Sequence, residues 1–120
     1  MKATDVFPGC ISAGVNSSDR EPWLKARREL VTASEVAAIL GVDPYRDALA
    51  VYRDKVFPDS TGPLELDDPR FWGQVLERPV LETAANYYGW QFAMSGDLLI
   101  SRQYPFIGAT LDALVNRNDG

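Results

Sequence analysis

A helix with signals at both ends is predicted by the run Thr32-Ala33-Ser34-Glu35-Val36-Ala37-Ala38-Ile39-Leu40-Gly41. Its first four residues have the S/T-x-x-E form of a capping box, in which the Thr hydroxyl and the Glu carboxylate satisfy free backbone N–H groups. Val36, Ile39 and Leu40 are predicted to form its buried face. Because Gly41 can adopt the left-handed conformation that closes helices, we expect a short helix of about two turns.

Further helices are predicted on both sides of this run. Before it, Pro22 suits a first helical turn, and Trp23, Ala26 and Leu30 are spaced for one face. After it, the Val42–Tyr45 segment is a turn, and Asp47 caps a helix. A longer helix begins at the cap Asp68 and ends at Gly89, with a kink at Pro79. Its predicted inward residues are Trp72, Val75, Leu76, Val80, Ala84 and Tyr87.

Strand patterns follow Gly89. Residues 90–94 and 98–102 are short β runs joined by a Ser95-Gly96-Asp97 turn, and residues 105–115 alternate as one strand. On that strand, the predicted apolar face carries Ile107, Ala109, Leu111, Ala113 and Val115. The pair Asp119-Gly120 is a hairpin signal without its second strand, so we expect that the natural domain continues or that another chain supplies the edge. Residues 1–19 show no sustained period and are interpreted as an N-terminal arm, with the domain proper at 20–120.

Composition limits the class of protein. The 120 residues fit one ordinary domain, and 46% hydrophobic with 24% charged residues disfavours disordered, collagen-like and membrane classes. The N-terminus lacks a signal-peptide pattern, so we expect a cytoplasmic location. With one cysteine, Cys10, and no histidine, a zinc centre and a His-dependent triad are disfavoured. Hydrolytic chemistry would therefore use carboxylates, Lys, Ser/Thr or an oxygen-preferring metal ion.

The charges are unevenly distributed along the chain. A net charge of −5 argues against nucleic-acid binding by bulk attraction. Basic residues nevertheless cluster at Arg20, Lys25, Arg27 and Arg28, and acidic residues cluster at Asp59, Glu65, Asp67 and Asp68. The pattern is compatible with a basic patch on an acidic body.

Four residues are candidates for chemistry, each with a structural alternative. Asp112 is a candidate because it lies in the predicted strand, where Asp is depleted; the alternative is an ordinary solvent-facing carboxylate. Glu77 is a candidate because it lies four residues after Gly73 of the Trp72-Gly73 pair; the alternative is a common helix-surface residue. Arg27 and Ser34 flank the start of the capped helix, where an anion could bind, or serve only as a solvated cation and a helix cap.

As a set, these residues resemble a known family. The resemblance lies in four blocks: Trp23-x-x-x-Arg27-x-x-Leu30 with Thr32–Gly41, Pro44-Tyr45-Arg46, Trp72-Gly73-x-x-x-Glu77, and Gly108-Ala109-Thr110-Leu111-Asp112. In order and spacing they are similar to the YqaJ-type viral recombinases, the lambda exonuclease branch of the PD-(D/E)xK nucleases. The resemblance covers roughly residues 22 to 120.

The resemblance implies a fold and a role for each residue. The implied fold is α/β (α+β) with a restriction-endonuclease-like core, in which N-terminal helices precede antiparallel strands. The implied activity is Mg²⁺-dependent digestion, with Mn²⁺ as the alternative metal, of duplex DNA from a 5′-phosphorylated end. By position, Asp112 and Glu77 match the metal-binding catalytic carboxylates, Arg27 and Ser34 match the residues that hold the 5′ phosphate, and Thr110 matches a small hydroxyl residue near it.

The chain departs from the family pattern in one main respect. The Glu-x-Lys that would follow on the next strand is absent from the 120 residues. We therefore expect weak metal binding and little or no nuclease activity from this chain. The resemblance also implies a bacterial or phage-encoded cytoplasmic protein, a single-strand annealing protein as partner and a homotrimer. A non-catalytic DNA-end or protein-interaction module derived from the same family remains the alternative.

Overall fold

The computed structural model describes residues 2–57 and 65–117 and has the predicted mixture of helices and strands. In these residues the helices are α1 (Ala3–Val6), α2 (Arg20–Arg28), α3 (Ala33–Ile39), α4 (Ala48–Val56) and α5 (Pro69–Tyr88). The strands are β1 (Cys10–Asn16), β2 (Val31–Thr32), β3 (Gln91–Met94), β4 (Asp97–Ser101), β5 (Ile107–Thr110) and β6 (Ala113–Asn116). The α+β class inferred from the sequence is confirmed.

The chain divides into two compact units. The first comprises Met1–Asp59 and Ser95–Asp112, and the second comprises Ser60–Met94 and Ala113–Gly120. The hairpin predicted at Asp119-Gly120 and the acidic residue Asp59 lie outside the described residues.

A four-stranded sheet forms the centre of the first unit, in the order β1-β4-β5-β2. β4 is antiparallel to both β1 and β5, as the expected antiparallel strands require, whereas β2 is parallel to β5. Leu98 of β4 is fully buried, and Leu99 and Leu30 are also buried. The parallel pairing of Thr32 with Gly108 brings the start of α3 next to β5.

The predicted helix ends are confirmed. Asp47 accepts a hydrogen bond from Ala50 N over 2.8 Å, and Asp68 accepts one from Arg70 N over 2.9 Å. At the start of α3 the capping box forms, with Thr32 N donating to Glu35 Oε2 over 3.5 Å. The helix-ending glycine Gly89 has a φ of 69°, in the left-handed region. Local capping chemistry therefore determines these boundaries. The predicted buried face of α3 is wrong, since Val36, Ile39 and Leu40 are exposed and Ala38 is its buried residue.

The interpretation of residues 1–19 as an arm without regular structure is wrong. They contain α1 and the seven-residue strand β1, which pairs with β4. The register between β1 and β4 shifts between Ser12 and Asn16, and Gly14 has a φ of 74°. Because such an irregularity interrupts the alternation of side chains, the strand leaves no period of two in the sequence.

The single strand predicted over residues 105–115 is also wrong. The chain forms β5 and β6 instead, and these belong to different sheets. At the break, Gly96 N donates to Leu111 O over 2.6 Å and Ser95 N donates to Asp112 O over 2.9 Å. The buried residues are Gly108 and Leu114, so the predicted apolar face is wrong as well. Asp112 thus lies between two strands rather than inside one.

The second unit contains α5 and the antiparallel pair of β3 and β6. The helix continues through Pro79, as predicted, and Thr83 Oγ1 donates to Pro79 O over 2.8 Å. Ala85 is its buried residue, whereas most of the predicted inward residues are exposed. A 20-residue helix is about 30 Å long, and four-residue strands span about 13 Å. The two-stranded sheet is therefore too short to cover it.

The exposed residues among those predicted to point inward are Trp72, Val75, Leu76, Val80 and Tyr87. None of the described helices combines the length and the apolar composition that crossing a membrane requires.

The tight packing around Gly108 gives a stability prediction. A Cβ added there would lie 2.7 Å from Leu30 Cδ1 and 3.1 Å from Leu99 O. We expect Gly108→Ala to lower the free energy of unfolding by about 1–3 kcal/mol, because a well-packed core must shift to admit the methyl group. Urea denaturation followed by circular dichroism measures the change.

Gly73→Ala is the matched control for this prediction. Around Gly73, within the described part of the chain, an added Cβ meets no atom within 4 Å, so the structure gives no packing reason for glycine there. Since alanine is the better helix former, Gly73→Ala should raise the free energy of unfolding by up to about 1 kcal/mol. Equal changes in the two variants would contradict the packing argument.

Candidate functional site

Three polar side chains lie close together between the end of α2 and the start of α3. Arg27 lies in the last turn of α2, Thr32 ends β2, and Ser34 is the second residue of α3. Because β2 is only two residues long and pairs with buried Gly108 of β5, the two helix ends stay close together. Leu30 anchors the connection in the core, where it is 6% exposed. The predicted pair Arg27 and Ser34 is thus brought together.

The three side chains form a closed set of contacts. Arg27 Nη2 donates to Thr32 Oγ1 and to Ser34 Oγ, each over 3.2 Å. The two hydroxyl oxygens are 3.3 Å apart and share a further hydrogen bond. Thr32 is buried, whereas the Arg27–Ser34 contact is exposed. We call Arg27, Thr32 and Ser34 the guanidinium–hydroxyl cluster.

Trp23 links this cluster to Thr110. The Arg27 guanidinium carbon lies 4.5 Å from the centre of the Trp23 ring, a cation–π contact. On its other side, Trp23 Nε1 donates to Thr110 Oγ1 over 2.9 Å. Thr110 therefore joins the site through Trp23. Sequence analysis placed Trp23 on the apolar face of the helix and in one family block with Arg27 but gave it no role at the site, although its i, i+4 spacing from Arg27 was the available signal.

Burial and charge act on Arg27 in opposite directions. Desolvation lowers the pKa of the Arg27 guanidinium, and the nearby Glu35 carboxylate raises it. The guanidinium stays protonated at neutral pH, because an arginine side chain does not lose its proton in a protein. Its Nε is buried, and among the described residues it has no hydrogen-bond partner. The site thus holds a positive charge that is bound by neutral hydroxyl groups.

An ion pair that sequence analysis missed lies next to the cluster. Lys55 of α4 approaches Glu35 Oε2 to 2.9 Å. The same ammonium donates to Leu30 O over 2.6 Å and to Arg27 O over 3.3 Å. The sequence showed Glu35 as a helix cap but gave no sign of its partner, which is 20 residues away in the chain.

The candidate metal ligands occupy different units. Asp112 is exposed at the end of the first unit, and Glu77 is half-buried in the middle of α5 in the second. Their carboxylate oxygens are of the type that Mg²⁺ prefers. In residues 2–57 and 65–117, no three His, Cys, Asp or Glu side chains lie together as a group that could hold a metal ion. We derive no reaction step through a metal ion.

The basic cluster predicted near residue 25 lies on α2. Arg20, Lys25 and Arg28 are exposed along it, next to the half-buried Arg27. The helix that carries Arg27 therefore has further exposed positive charges, although the chain as a whole is acidic.

We compared the chain with known protein families, curated proteins and solved structures. The family model of the YqaJ-like viral recombinase domain matches residues 22–120. No curated protein and no solved structure shows significant similarity to the chain. The match extends over every candidate site residue from Arg27 to Asp112 and agrees with the resemblance carried by the four sequence blocks. The chain therefore belongs to the family of YqaJ-like viral recombinase domains.

Proposed function

We propose that this chain recognises the 5′-phosphorylated end of double-stranded DNA, as the end-binding part of an exonuclease of phage-type recombination. The observation that carries the proposal is the guanidinium–hydroxyl cluster, in which Arg27 Nη2 lies 3.2 Å from each of two hydroxyl oxygens. Membership of a viral recombinase family supports a DNA substrate.

The chemistry of the cluster suits a terminal phosphate. A phosphate monoester carries about −1.5 to −2 charges at neutral pH and offers three acceptor oxygens. The Arg27 guanidinium can donate charge-assisted hydrogen bonds to it, and the exposed Ser34 hydroxyl can donate another. An internal phosphodiester carries only one negative charge, so the cluster should prefer a strand end.

The exposed basic residues of α2 complement this role. Arg20, Lys25 and Arg28 can contact backbone phosphates of the duplex, which position a nucleic acid without reading its sequence. The net charge of −5 limits attraction elsewhere on the chain. A cytoplasmic location, a homotrimer and a single-strand annealing protein as partner remain proposals that the family resemblance supports.

A binding measurement tests the proposal directly. The chain should bind a blunt duplex with 5′ phosphates more tightly than the same duplex with 5′ hydroxyls, by about 10- to 100-fold, since a hydrogen bond to a charged group contributes about 1.5–3 kcal/mol. Fluorescence anisotropy at a fixed ionic strength measures both dissociation constants. Equal affinities would refute recognition of the 5′ phosphate.

We further propose that Asp112 and Glu77 are the family's metal-binding carboxylates, with weak affinity for Mg²⁺ or Mn²⁺ in this chain. A bound Mg²⁺ would neutralise charge on the phosphate and lower the pKa of a water molecule. Two carboxylates of the chain, Asp112 and Glu77, match the family pattern, and no Glu-x-Lys occurs in the 120 residues. Asp112 is two residues from Thr110 in the sequence, and Trp23 connects Thr110 to the guanidinium–hydroxyl cluster through a hydrogen bond and a cation–π contact.

The low activity of this chain is a second testable expectation. In Mg²⁺, a labelled linear duplex incubated with the chain should show little or no release of nucleotides, because two carboxylates leave the metal weakly held. Gel electrophoresis of the labelled strand gives the measurement, and Asp112→Ala gives the control. Abundant cutting that Asp112→Ala abolishes would contradict this expectation and favour the catalytic interpretation over the non-catalytic module.

A further inference from the structure

Lys55 connects three elements around the guanidinium–hydroxyl cluster. Its ammonium lies on α4, yet it contacts Glu35 of α3 and two backbone carbonyls, those of Arg27 and Leu30, at the end of α2. The ammonium thus makes one ion pair and donates two hydrogen bonds. The side chain is 22% exposed and that of Glu35 is 13% exposed, so the pair is shielded from solvent.

Glu35 presents an electrostatic conflict for a phosphate-binding site. Its carboxylate is near enough to Arg27 to raise the pKa of the guanidinium. A carboxylate in that position repels an incoming phosphate, and it also competes with the phosphate for the guanidinium, since Arg–carboxylate pairs are strong. Partial burial makes both effects larger, because solvent ions screen them less. Glu35 is nevertheless needed to cap α3, where it accepts from Thr32 N.

Lys55 resolves this conflict by its position. At 2.9 Å from Glu35 Oε2, it neutralises the carboxylate. It also donates to the carbonyl of Arg27, which lies at the negative end of the α2 dipole, and to the carbonyl of Leu30, two residues beyond the helix. One ammonium group thus balances both the Glu35 carboxylate and the carbonyl end of α2.

We propose that Lys55 is a positioning residue for phosphate recognition: by neutralising Glu35 it keeps the Arg27 guanidinium available to the 5′ phosphate. The inference rests on the proposed function, and it concerns a residue that need not touch DNA. The inference has a distinctive consequence: Lys55 should affect binding of the 5′ phosphate only while the Glu35 carboxylate is charged.

A double-mutant comparison tests the inference. The measured quantity is the phosphate preference, defined as the dissociation constant of a blunt duplex with 5′ hydroxyls divided by that of the same duplex with 5′ phosphates. Lys55→Met should lower the preference about tenfold, because it leaves a half-buried charge unpaired beside Arg27. Glu35→Gln should keep or raise it. Combining both substitutions should restore the preference to within about threefold of the original value.

The matched control is Arg53→Met. Arg53 is an exposed cation on the same helix, two residues before Lys55, and its substitution removes the same charge. The phosphate preference should not change in this variant. A similar loss in Arg53→Met and Lys55→Met would overturn the inference, because it would mean that net charge alone sets the preference.

Each outcome separates the inference from the proposed function. If the unmodified chain shows no phosphate preference, the proposed function fails. If it shows one that Lys55→Met does not alter, only the role of Lys55 fails. Should Lys55→Met be unfolded by circular dichroism, the Glu35→Gln/Lys55→Met variant decides: a retained preference supports neutralisation of Glu35, and a lost one overturns it in favour of direct contact with phosphate.

Discussion

Arg27→Ala is expected to abolish the preference for a 5′-phosphorylated duplex end. In the structure the guanidinium is the only charged member of the guanidinium–hydroxyl cluster, and it is held against Thr32 and Ser34. Its removal leaves two neutral hydroxyls, beside a Glu35 carboxylate that is paired with Lys55. The phosphate preference should therefore fall from about 10- to 100-fold to about one, since the charge-assisted hydrogen bonds are lost.

Arg28→Ala provides the comparison for this result. Arg28 is the next residue on α2 and is exposed, so it carries the same charge without joining the cluster. Its removal should weaken binding of both duplexes by similar factors, as loss of a backbone phosphate contact does, and leave their ratio unchanged. If Arg27→Ala retained the full preference, the phosphate-binding role of Arg27 would be wrong under both the catalytic and the non-catalytic interpretation.

Helices were predictable from the sequence because their end signals are local. Asp47 and Asp68 contact backbone N–H groups two or three residues away, so a short window contains the whole interaction. The strands were harder, since their pairing is not local. β1 was missed because its irregular pairing hides the alternation, and the break at Asp112 was missed because the apolar alternation continues across a change of sheet.

The candidate site, like the fold, could be inferred from the sequence only in part. Arg27 and Ser34 could be inferred because they flank one capped helix and match a family pattern. The contacts that support them could not. Trp23 and Thr110 are 87 residues apart, and Lys55 reaches Glu35 from another helix. Only the fold brings such residues together, so sequence analysis identifies the candidate binding residues and misses the side chains that contact and support them.

Trp23 gives the second prediction with a large expected effect. Its ring supports the Arg27 guanidinium at 4.5 Å, and its Nε1 fixes the ring by donating to Thr110. Trp23→Leu removes both contacts. A cation–π contact contributes about 0.5–2 kcal/mol, and a buried hydrogen bond about 0.5–1.5 kcal/mol. We expect Trp23→Leu to lower the free energy of unfolding by about 2–4 kcal/mol, with loss of apolar packing included, and the phosphate preference about tenfold.

Trp23→Phe separates the two contacts. Phenylalanine keeps an aromatic face for the guanidinium but cannot donate to Thr110 Oγ1. If the ring face holds Arg27, Trp23→Phe should retain most of the phosphate preference while the free energy of unfolding falls by about 1 kcal/mol, as loss of one hydrogen bond predicts. Anisotropy with the two duplexes and urea denaturation measure the two quantities. Equal loss of preference in Trp23→Phe and Trp23→Leu would instead assign the positioning of Arg27 to the Trp23–Thr110 hydrogen bond, and Thr110→Val should then reproduce that loss.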